Sequence, residues 1–163
     1  MKEKLYTIPL MDAFKAGDEC PFCFVERQLE QHAMDFVLGA GASYMEDDVR
    51  AETDKMGFCR THYKKMYDYG NRLGTGLILK THFQYKTKEL HEQIRIFAPS
   101  RASVFSRFKK GNTDTDAPKT SLGAWVKEQE DTCYICNFYK DTYARYLDTF
   151  SNCLKKPGIS PAF

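Results

Sequence analysis

Three short clusters of cysteine and histidine are the residues in this chain that could do chemistry. They are Cys20-Pro21-Phe22-Cys23, then Gly57-Phe58-Cys59-Arg60-Thr61-His62, then Cys133-Tyr134-Ile135-Cys136. Thiolates and imidazoles are the donors that tetrahedral zinc takes from proteins. A C-x2-C turn can aim both sulfurs at one point. A C-x2-H pair at a helix start places both ligands on one side, because residues three apart share a face. The first two clusters together supply four donors, so the sequence predicts a zinc ion held by Cys20, Cys23, Cys59 and His62, with segment 24–58 closed into a loop by the metal. Gly57 permits the tight backbone approach to the second pair. Helix N-termini at Cys20 and Cys59 would offset the negative charge of three thiolates around Zn²⁺. Four protein donors fill the coordination sphere, which favours a structural ion over a catalytic one that keeps a place for water. The rival chemistry for a C-x2-C turn is thiol redox, as in thioredoxin-like pairs. Those follow a buried strand, whereas Lys15-Ala16-Gly17-Asp18-Glu19 is no strand.

The third cluster echoes the first. An acidic lead-in, C-x2-C and an amphipathic stretch occur around Cys20 and again around Cys133, the pattern of an internal repeat. The second copy has no C-x2-H after it, and Cys153 lies about 25 Å along a predicted helix from Cys136. Three readings stay open for Cys133 and Cys136: a chain that is part of a longer one, ligands borrowed from His82, His91 or another chain, or a reduced pair without metal.

The elements that must position these clusters read as helices. Pro21 suits a first helical turn, and apolar residues at 22, 25, 29, 33, 36 and 37 form a stripe that Gly39 and Gly41 end. Ser43 and Glu46 have the spacing of a capping box for the next helix, which Gly57 stops. Cys59 and His62 open a third helix that Gly70-Asn71 breaks. A long helix from about Leu73 to Phe97 ends before Pro99. Further helices are expected around 121–129 and from about Tyr134 to Leu154. Residues 1–17 read as a short lead-in. With no strand alternation, the fold class expected is all-α: an irregular helical bundle with one long helix, stapled by a Cys3His zinc site. The divisions expected are a helical zinc-binding unit at 1–98, a linker at 99–119, and a shortened second repeat at 120–163 packing on the first.

Composition excludes several functions. The 24 basic and 22 acidic residues leave a net charge of +2, too even for nucleic acid or an anionic membrane as main partner. A basic cluster with aromatics (Arg101, Phe105, Arg107, Phe108, Lys109, Lys110) reads as solvated linker. No apolar run reaches the roughly 18 residues a spanning helix needs. The N-terminus lacks a signal-peptide core, so the expected setting is the cytoplasm, where cysteines serve as ligands or redox groups rather than disulfides. Glu46, Asp47, Asp48 and Glu52 could be drawn as an acid/base or carboxylate metal site, but acidic residues belong in a helix's first turn anyway. Gly70, Gly74 and Gly76 lack the Lys-Ser/Thr of a phosphate loop.

Ser43-Tyr44-Met45-Glu46-Asp47-Asp48-Val49-Arg50, with the CPFC and GFCRTH motifs, resembles an uncharacterised family from Gram-positive anaerobic bacteria over residues 1 to about 150. The resemblance implies two cysteine/histidine metal half-sites on a helical scaffold, with members carrying a second G-F-C-x2-H. The function these features favour is a non-enzymatic, zinc-binding interaction or regulatory module with an unknown protein partner or self-association. The alternative is a thiol redox sensor or oxidoreductase using a C-x2-C pair.

Overall fold

The computed structural model describes residues 2–97 and 120–155, and of Lys2–Leu5 only the backbone. The stretch expected as a linker, with its basic cluster, and the C-terminal tail lie outside the described residues. Within them the chain is all-α, with no strand. Its helices are α1 (Lys2–Lys15), α2 (Pro21–Leu38), α3 (Asp47–Met56), α4 (Arg60–Tyr69), α5 (Arg72–Ile96), α6 (Ser121–Glu130) and α7 (Tyr134–Lys155).

The scaffold is the pair α2 and α7, packed antiparallel. Ala33, Met34, Val37 and Leu38, near the end of α2, share one buried cluster with Cys133 and Ile135, at the start of α7. Val25, near the start of α2, shares the other cluster with Tyr146, far along α7. The first cluster is completed by Phe58, Met66 and Ile78, so α4 and α5 close over that end. Helix α1 closes the other, with Leu10 and Ala13 buried there. Burying a side chain such as Ile135, Ile78 or Leu38 contributes roughly 1.5–3 kcal/mol. Packing of this kind makes a short amphipathic helix persist where its propensity alone would not.

Two local expectations fail. Residues 1–17 contain α1 despite Pro9 inside the helix. The buried face of Leu10 and Ala13 against α2 and α7 offsets the lost hydrogen bond. The capping box also does not form. Ser43–Met45 is a 3-10 turn after Ala42 at φ 50°. Glu46 is itself the N-cap of α3 and makes no side-chain cap bond. That turn is held instead by Arg50, whose guanidinium donates to the Tyr44 carbonyl at 2.9 Å.

Candidate metal centre

The C-x2-H pair sits where α3 ends and α4 begins. Gly57 stops α3 with φ 63°, a conformation an L side chain resists. A Cβ at Gly57 would also stand 2.6 Å from Cε1 of His82. His82 is fixed there by a hydrogen bond between Nδ1 and the Asp54 carbonyl at 2.8 Å. It shapes the turn and is not among the clustered ligands. His91 is exposed on α5. Cys59 is then the N-cap of α4, and His62 falls in the first turn, nearly fully buried.

The C-x2-C turn that meets this pair is the one opening α7. Backbone bonds dock the two turns. The Tyr134 amide donates to the Gly57 carbonyl at 2.9 Å, and the Thr132 hydroxyl donates to the Met56 carbonyl at 2.7 Å. The result is a cluster of Cys59, His62, Cys133 and Cys136 whose ligand atoms all lie within 4.8 Å of one another. His62 Nδ1 is 3.2 Å from Cys59 Sγ, 3.2 Å from Cys133 Sγ and 3.5 Å from Cys136 Sγ. A tetrahedral ion with Zn–S near 2.3 Å and Zn–N near 2.0 Å requires edges of about 3.5–3.8 Å. The three nitrogen–sulfur distances are within a few tenths of an ångström of that.

The outer nitrogen is held as well. His62 Nε2 lies 2.8 Å from Glu30 Oε1, and the Lys65 ammonium pairs with the same oxygen. With Nε2–H donating to Glu30, the Nδ1 lone pair faces the three sulfurs. This is the tautomer a metal ligand needs, fixed by a carboxylate as in many metal sites. Burial works to raise the Glu30 carboxyl, but the hydrogen bonds from Lys65 and His62 outweigh it and hold the group below its ordinary value. The Cys136 thiol is pushed up to about 12, first by burial and then by the charge of Cys133. The Cys136 thiol keeps its proton at neutral pH unless a cation replaces it.

The four predicted ligands are therefore not brought together as a set. Cys59 and His62 converge with Cys133 and Cys136, while Cys20 and Cys23 lie outside the cluster. The reason is distance along α2. His62 is anchored on Glu30, two turns past Cys23 and about 10 Å along the axis. The antiparallel α7 brings its own N-terminus to that level instead. The partners of Cys133 and Cys136 thus lie upstream in the chain, and neither His82 nor His91 is needed. Glu30, Thr132 and the Gly57 carbonyl escaped the sequence reading. The one available signal was that a single C-x2-H stood between two equivalent C-x2-C turns.

A family model described as a family of unknown function, DUF6062, matches residues 1–158. The chain belongs to this family. It matches no curated protein and no solved structure. The acidic residues Glu46, Asp47, Asp48 and Glu52 are exposed on and beside α3. No helix among the described residues is long and apolar enough to cross a membrane.

Proposed function

We propose that this chain is a non-enzymatic helical module held together by one structural zinc ion, acting in interaction or regulation. The observation that carries this reading is the four-donor cluster with its carboxylate-backed histidine. Zinc is favoured because Cys3His is a standard structural donor set for it. Four protein donors leave no position for substrate. Cys59, His62 and Cys133/Cys136 come from two distant parts of the chain, so the ion would staple the α3–α4 corner to the start of α7. The setting is the cytoplasm, where thiols stay reduced.

The interaction role is supported by α5. Phe83, Leu90 and Ile94 recur at helical spacing and are exposed, by 58%, 38% and 52%. Large apolar residues left exposed at such spacing on one helix are what a contact surface uses. A partner protein or a second copy of the chain would cover it.

Metal analysis of the reduced protein tests the metal reading. One tightly held zinc per chain is expected, and removing it with a strong chelator should unfold or loosen the α4–α7 corner. A chain that keeps its fold and carries no tight metal would refute it. A second reading, thiol redox chemistry, is favoured by a different observation: Cys23 is exposed, and the Cys20 thiol is lowered mainly by a hydrogen bond from the Cys23 side chain. Reduction of a disulfide substrate by the purified protein, lost in Cys20→Ser, would establish it.

A further inference from the structure

A cavity of about 330 Å³ opens between α5, α6 and the turn that joins α3 to α4. None of the four clustered cysteine and histidine ligands lines it. Ligand pockets begin at roughly 300 Å³, and an apolar cavity of about 150 Å³ already holds a benzene. The space therefore suits one ring or two fused rings. Its walls are largely aromatic. Phe58 and Tyr63 meet edge to face, with ring centroids 5.7 Å apart. Trp125, the single tryptophan of the chain, and Val126 line it from α6. Such walls favour a flat aromatic guest, through offset or edge-on ring contacts.

One polar atom in the wall is left without a donor. His82 is 7% exposed, and its Nδ1 lies 2.8 Å from the Asp54 carbonyl oxygen. A carbonyl oxygen only accepts, so Nδ1 carries the proton, and Nε2 of the neutral ring is an acceptor. Among the described residues nothing donates to Nε2, yet no fully buried side-chain nitrogen or oxygen there goes unpartnered. Nε2 therefore opens on the cavity that His82 lines. A nearly buried acceptor of this kind favours a guest that brings a donor.

Charge at the cavity works against ions. The Lys86 ammonium is already engaged, donating to Gln129 Oε1 at 2.5 Å and pairing with Glu89 at 2.8 Å. It repels a cation, and the exposed Glu130 beside it in the lining repels an anion.

We propose that this cavity binds a flat, uncharged aromatic molecule of one or two rings that carries an N–H or O–H donor. The donor bonds to His82 Nε2, and the rings lie against Phe58, Tyr63 and Trp125. None of the groups that make this site is a metal ligand, so the site and the metal reading fail separately.

Indole and indene are the probes, one bicyclic shape with and without the N–H. Each is titrated into the full chain by isothermal calorimetry. Indole should saturate at one per chain and bind about tenfold tighter than indene, as one added hydrogen bond to a lone acceptor requires. His82→Phe keeps a ring against Gly57 and removes the acceptor, so indole should then bind no tighter than indene. Trp125→Ala should weaken both probes alike, by roughly tenfold. Far-UV circular dichroism checks the fold of each variant. Indole that does not saturate overturns the proposal. So does indene that binds the wild-type chain as tightly, or a folded His82→Phe chain that keeps the preference. If His82→Phe does not fold, the wild-type comparison of the two probes decides alone.

Discussion

The two C-x2-C turns of this chain share a motif, a helix start and a place on the same helix pair, yet their surroundings differ. At the α7 turn, Cys133 is 5% exposed and Ile135 fully buried. A neighbouring loop docks on the turn through Gly57, and a C-x2-H pair completes a four-donor cluster. At the α2 turn, Cys23 is exposed, and the apolar residues Phe14, Phe22 and Phe150 pack beneath it. The motif alone does not decide what a cysteine pair holds. The element that arrives opposite it does.

The largest effect that would break this contrast comes from removing a ligand at the closed end. Cys133→Ser should abolish tight zinc binding. The ion's apparent binding energy is on the order of 10 kcal/mol, so thermal unfolding should move far down and lose cooperativity. Cys20→Ser should leave both nearly unchanged.

Beneath the turns the contrast is smaller. Ile135→Ala should cost about 2–5 kcal/mol as a fully buried deletion, measured by urea denaturation. Phe22→Ala should cost less, because Phe22 is only partly buried. Equal losses would show that the two ends are equally tight.

Glu30→Gln sharpens the comparison at the level of the histidine. Loss of an outer carboxylate of this kind typically lowers metal affinity about 10–100-fold. Tyr143→Phe, on α7 against the cluster of Leu10, Ala13, Val25 and Tyr146, should leave that tight affinity unchanged.

A pH series reads the closed end through its thiols. Cys136 lies well above its ordinary value in the metal-free chain, so at neutral pH it is protonated there and gives up its proton to bind metal. Apparent zinc affinity should therefore rise with pH and fall in acid. Affinity that does not change with pH would mean that thiols are not the ligands.

Much of the fold was legible from helical periodicity and punctuation. Gly39, Gly57 and Gly70 end helices where expected, and α5 and α7 fall within a residue or two of their predicted spans. Helix α1 was read only as a short lead-in, because the burial of Leu10 and Ala13 that sustains it is revealed only by tertiary packing. Ser43 and Glu46 matched a capping box in spacing, but Ala42 in the left-handed region turns the chain before a helix can begin. At the site, Cys59 and His62 were found by type and spacing. Their partners were not, because one C-x2-H fits either C-x2-C turn. Which of them it meets depends on the antiparallel packing of α2 and α7 and on the Tyr134–Gly57 backbone bond.

The most direct measurement is tightly bound zinc per chain in two double variants purified side by side, after weakly held metal has been dialysed away. Cys133→Ser with Cys136→Ser should lose the ion, whereas Cys20→Ser with Cys23→Ser should retain one per chain. The reverse outcome, with the ion following Cys20 and Cys23, would contradict the pairing of Cys59 and His62 with the α7 turn.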